Sequence, residues 1–190
     1  MKIYPLLWFG TLVLAAPAGA LPGQPEPVVA DWIRTHGVLS PAPHERLLVR
    51  KSDTAARRFE FEASATLPGM AAFPGDKANI IRSERLSFFD LANPVTTDRL
   101  QETLRSIYGP EIMMDFAGAT VVYRYPPATI PPESTLGLIR GEIRTGSSFG
   151  YWWEQVERAP GQPHSGRLVI FEKANADKIQ AEIARRYPNP

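Results

Sequence analysis

Residues 58–66 read Arg-Phe-Glu-Phe-Glu-Ala-Ser-Ala-Thr. Phe59, Phe61, Ala63 and Ala65 fall on one parity, and Glu60, Glu62 and Ser64 on the other. A period of two is the signature of a β-strand, and apolar–polar alternation is that of an antiparallel strand with one wet face. Just upstream, in Glu45–Lys51, Leu47 and Val49 alternate with Arg46, Leu48 and Arg50. The intervening Ser52-Asp53-Thr54 is turn chemistry, so the two segments predict a hairpin.

Outward from this hairpin the period changes repeatedly. Residues 28–36 predict a first helix, with Val28, Val29, Trp32 and Ile33 on one face and Gly37 placed to cap its end. Asn79–Leu91 predicts a long strand whose apolar phase slips, which a bulge near Ser87–Phe89 would explain. After Asn93-Pro94, Thr96 or Thr97 caps a second helix carrying the stripe Leu100, Leu104, Ile107 and Tyr108, and Gly109-Pro110 stops it. Ile112–Phe116 and Thr120–Tyr125 read as strand, either one interrupted at Ala117-Gly118-Ala119 or two short ones. Leu138–Thr145 and Phe149–Arg158 predict a hairpin joined at Gly146-Ser147-Ser148. A last strand covers Arg167–Glu172, and Asn175 caps a terminal helix striped by Ile179, Ile183 and Tyr187. Runs of strands separated by single helices imply an α+β domain. The expected fold is one antiparallel sheet, with strong curling as a variant, of about six to seven strands with three helices on one face.

The start of the chain bears on location. Lys2 precedes an apolar run from Leu6 to Ala16, closed by Ala18-Gly19-Ala20. This is the order of a secretory signal peptide, with the mature chain beginning at Leu21. An uncleaved anchor is the alternative, but a membrane-spanning helix needs roughly twenty residues, and Pro5 and Pro17 bracket the run. The expected organisation is a signal peptide over 1–20, an extended lead-in over 21–27 where three prolines oppose helix, and one globular domain over 28–190. The location is then secreted, periplasmic or thylakoid-lumenal, with no membrane span after cleavage.

Composition excludes several function classes. Without cysteine there is no disulfide, thiolate metal site or thiol nucleophile. Lys2 is the only charged residue of the leader, so 21 basic and 20 acidic residues become an exact balance after cleavage. Nucleic-acid binders carry a basic face and a high pI, so no nucleic-acid partner is expected. His36, His44 and His164 lack the short spacings of a metal site, so no metal is expected. No glycine-rich phosphate loop, dinucleotide fingerprint or calcium loop occurs in the sequence, and no cofactor is expected.

Three local patterns could carry chemistry. Gly146-Ser147-Ser148-Phe149-Gly150 matches the G-x-S-x-G of hydrolases, with Ser148 as nucleophile, yet it lies between strands rather than between a strand and a helix. Glu60 and Glu62, about 7 Å apart on one strand face, have a spacing used in glycoside hydrolysis, though paired surface carboxylates are far commoner. Phe149, Tyr151, Trp152 and Trp153 offer a binding surface if one tryptophan stays exposed, since the two face opposite ways along a strand. The proline-rich stretch from Tyr125 to Glu133 reads as a stiff connection.

The stretch Ser52 through Arg58 to Phe61, the segment Leu86-Ser87-Phe88-Phe89-Asp90-Leu91 and Tyr151-Trp152-Trp153-Glu154 together give a further pointer. In these the chain resembles small exported cyanobacterial proteins of unknown function. The resemblance implies a periplasmic or thylakoid-lumenal location and brings no catalytic or binding residues. The function expected from the sequence is therefore an exported, non-enzymatic domain binding a protein partner or a small ligand. A small extracytoplasmic hydrolase, using Ser148 or Glu60 and Glu62, and an envelope assembly protein are the alternatives.

Overall fold

The computed structural model describes residues 21–71, 79–126 and 138–188. The leader over 1–20 and the loop residues Pro127, Pro131 and Pro132 lie outside them. The described elements, in chain order, are α1 (Glu26–Thr35), β1 (Leu48–Thr54), β2 (Arg57–Ser64), β3 (Ser83–Asp90), α2 (Thr97–Tyr108), α3 (Pro110–Ala117), β4 (Thr120–Tyr125), β5 (Ile139–Thr145), β6 (Phe149–Glu157), β7 (Pro163–Glu172) and α4 (Ala176–Arg186). All seven strands join one antiparallel sheet in the order β1-β2-β3-β7-β6-β5-β4. The sheet is open, with β1 and β4 as its edges. The fold is thus α+β, as the alternation of strand groups and helices predicts. No helix among the described residues is long and apolar enough to cross a membrane.

The sheet separates two cores. On one face Val49, Phe61, Leu86, Tyr151, Trp153, Leu168 and Ile170 pack with Val29 and Ile33 of α1, Leu100, Leu104 and Ile107 of α2, and Ile112 and Phe116 of α3. On the other, Tyr125, Ile143, Trp152, Val169 and Phe171 pack with Leu67 and with Ala176, Ile179 and Ile183 of α4. Helices therefore cover both faces rather than one. The central strands β6 and β7 are apolar on both parities for that reason.

Four local expectations change. The lead-in is not extended throughout: α1 starts at Glu26, because proline suits a helix's first turn, where its missing N–H has no intrahelical partner anyway. Ile112–Phe116 is helix α3, not strand. Gly109 (φ +86°) turns the chain after α2, Pro110 opens the next helix, and Ile112 and Phe116 sit one turn apart on its buried side. The described residues accordingly hold four α-helices, not three. Finally, β3 carries no bulge, and its pairing with β2 is continuous from Ser64↔Ser83 to Arg57↔Asp90. The apparent phase slip arises because Ile80 and Ile81 precede the strand, Leu91 follows it, and Phe89 faces away from the larger core under the Arg58 guanidinium, 4.4 Å from its ring centre.

Candidate functional site

The aromatic segment belongs to the two cores. Tyr151, Trp152 and Trp153 are 0%, 1% and 7% exposed, and Phe149 is half-buried against the larger core. The exposed platform that a binding role for these four residues requires is absent, since both faces of β6 are covered. Their polar atoms are bonded inside. The Trp152 indole donates to the Tyr125 hydroxyl (2.7 Å), which donates to Glu154 (2.6 Å), and Arg167 donates to the same carboxylate (2.5 Å) while lying over the Trp152 ring. Trp153 donates to Glu142 on the opposite face (3.2 Å). Tyr151 donates to Asp115 (2.7 Å).

Ser148 sits at the exposed β5–β6 turn, whose organiser is Asp115 at the end of α3. The Asp115 carboxylate accepts the backbone N–H groups of Ser147 (2.7 Å), Ser148 (3.2 Å) and Phe149 (3.2 Å), and the hydroxyls of Ser147 and Tyr151. Partial burial works to raise its pKa, yet these donors hold it down at about 2. The turn pairs beside Glu172, whereas His164 lies eight residues away along β7, about 26 Å at strand rise. The geometry therefore builds no serine–histidine pair here. Glu60 and Glu62 do share a face, but as rungs of a charge ladder. Glu60 bonds Arg50 (3.0 Å) and Arg85 (3.1 Å), and Glu62 bonds Arg85.

Among the described residues a cleft lies elsewhere, between α2 and the β1–β2–β3 end of the sheet. It is a cleft of about 280 Å³ lined by Val38, Lys51, Asp53, Arg57, Arg58, Phe59, Phe88, Arg99, Thr103 and Ile107. Its floor is apolar because Phe59 and Phe88 are directly opposed cross-strand partners, with ring centres 5.0 Å apart. Its wall is basic. Asp90, at the end of β3, accepts the N–H groups of Ala92 (3.0 Å) and Asn93 (2.9 Å) and a guanidinium N–H of Arg99 (2.9 Å). Those bonds, the Asn93 N–H foremost, outweigh burial and hold its pKa at about 2.

With Asp90 so engaged, Arg57 is left with two long ion pairs, 3.4 Å to Asp90 and 3.7 Å to Asp53, and its side chain is 46% exposed. The Lys51 ammonium donates to the Val38 carbonyl (2.7 Å), a neutral partner. Four cations thus line the cleft against the carboxylates of Asp53 and Asp90. Such a cleft can seat a small molecule that has both an apolar body and negative charge. Sequence reading missed it because it is assembled from four separate stretches. The available signal was Arg57 on the apolar parity of Phe59 and Phe61, opposite Asp90 on the apolar parity of Leu86 and Phe88.

Among the described residues no three histidine, aspartate or glutamate side chains gather in a way that could hold a metal ion. No protein-family model matches the chain, and neither a curated protein nor a solved structure matches it.

Proposed function

We propose that this chain is an exported, non-catalytic domain that binds a small molecule in the cleft between α2 and strands β1–β3. The observation that carries this reading is the cleft itself, a basic concavity floored by the Phe59–Phe88 pair. Cofactor and ligand sites are typically concave, mostly apolar and furnished with a few converging polar groups, a description this cleft meets. The hydrolase alternatives draw no comparable support, since Ser148 faces an aspartate-organised turn and Glu60 and Glu62 are held by arginines. Export rests on the leader pattern over residues 1–20.

The test is a fragment screen on the chain from Leu21 to Pro190, followed by backbone-amide NMR. Shifts that cluster at Val38, Lys51, Phe59, Phe88 and Arg99 are expected. A screen whose hits all map elsewhere, or one without hits, overturns the proposal.

A further inference from the structure

We infer that the occupant of this cleft is a small aromatic monoanion, an aryl carboxylate or sulfonate of one or two rings. The inference rests on the binding role proposed above and narrows it to a ligand class. Size sets the first limit. About 280 Å³ lies at the lower edge of the roughly 300–1,000 Å³ common for small-molecule pockets, so a nucleotide or a lipid is too large to be enclosed.

The floor sets the second limit. Phe59 and Phe88 are only half-buried, and their planes meet at 47°. Tilted against each other at the floor, they give a third aromatic ring apolar ring surface to pack on. The Arg99 guanidinium lies 5.6 Å from the Phe88 ring centre, so this floor is already arranged for π contacts.

Charge sets the third limit. Arg99 is committed to Asp90 at 2.9 Å, while Arg57 holds its carboxylates only at 3.4 and 3.7 Å. A ligand carboxylate or sulfonate can take two parallel N–H donors from the Arg57 fork, with Lys51 on the same wall. Asp53, 72% exposed at the rim, repels a second negative charge. The Arg57 fork matches one anionic group, and inorganic phosphate, which has no ring, leaves the Phe59–Phe88 floor unused.

The experiment is isothermal titration of the Leu21–Pro190 chain with three probes: 1-naphthoate, its neutral counterpart 1-naphthalenemethanol, and inorganic phosphate. Naphthoate is expected to bind in the millimolar range or tighter, the floor for a ligand of its size, and at least tenfold more tightly than either comparator. Arg57→Gln, at a half-exposed position, is expected to weaken naphthoate about tenfold or more and leave the alcohol unchanged. Phe88→Leu should weaken both aromatic probes. Equal affinity for the alcohol refutes the anionic requirement, and equal affinity for phosphate refutes the aromatic one. If none of the three binds while fragment hits still map to the cleft, the ligand class is wrong and the binding role stands. If the fragment screen also fails, both fall. Circular dichroism and melting temperature of each variant separate lost binding from lost fold.

Discussion

Replacing Glu84 by glutamine is predicted to flatten the pH dependence of stability. Glu84 lies on β3 opposite Ala63 and Ile170 and is 0% exposed. One carboxyl oxygen accepts the Tyr108 hydroxyl at 2.5 Å, and the other has no hydrogen-bond partner. Burial raises its pKa from 4.5 to about 8, and the Tyr108 bond only partly opposes this. The folded protein therefore holds a proton below about pH 8 that the unfolded chain releases above about pH 4.5. Since the native state binds more protons in that window, stability falls as pH rises through it and levels off above about pH 8. Each pH unit costs about 1.36 kcal/mol, so on the order of 3 kcal/mol is lost between pH 4.5 and pH 7. Glutamine is neutral throughout and keeps an oxygen for Tyr108. Urea denaturation followed by tryptophan fluorescence, for both proteins from pH 4.5 to 8.5, reads the difference directly. The wild-type-minus-variant stability should fall by about 3 kcal/mol by pH 7. The remaining titrating groups are common to both proteins and largely cancel. Parallel stability curves would refute the claim that Glu84 is buried as the neutral acid.

Three further outcomes follow from the packing. Asp90 and Asp115 both hold pKa values of about 2 against an ordinary 3.8, so their stabilisation is complete above about pH 4 and is lost as pH falls towards 2; the double variant Asp90→Asn, Asp115→Asn should be less stable at neutral pH and lose less on acidification, as acid titration of the circular dichroism signal would show. Trp152→Ala and Trp153→Ala should each cost about 3–5 kcal/mol in urea denaturation, and a variant that keeps its stability but loses ligand would restore the surface role for this segment. Gly150→Ala should cost about 1–3 kcal/mol, because a Cβ there would lie 2.1 Å from the Phe171 ring; combination with Phe171→Leu should cost less than the two single changes added together, and strict additivity in thermal melts would show that the clash is not the cause.

Where one face of an element is wet and the other dry, its pattern was readable in advance. The β2 alternation and the α2 stripe of Leu100, Leu104 and Ile107 are of this kind, and the Thr96 hydroxyl does cap α2 by accepting the Arg99 N–H. Readability fails where both faces are dry. The Trp152–Trp153 pair has no polar parity because α4 covers one side of β6 while α2 and α3 cover the other, and sequence alone cannot say that a second layer exists. It fails also for short apolar runs such as Ile112–Phe116, in which five residues fit either period and the preceding Gly-Pro decides in favour of helix.

The candidate site was hidden for a different reason, and it left a trace. Arg57, Glu84 and Asp90 each stand on the core-facing parity of an otherwise apolar strand. A charge in that position conflicts with the pattern around it and has to be resolved by the tertiary structure. The three are resolved in three ways. Asp90 is saturated by two backbone N–H groups and Arg99, Glu84 is buried with its pKa raised to about 8, and Arg57 is left half-exposed on long ion pairs. Only the last solution leaves hydrogen-bonding capacity facing solvent beside an aromatic floor. A misplaced charge in a strand is therefore not itself a functional signal; it becomes one when the fold leaves that charge incompletely answered at the edge of a cleft, and on this ground Arg57, rather than Glu84 or the tryptophan pair, is the residue on which the binding assignment turns.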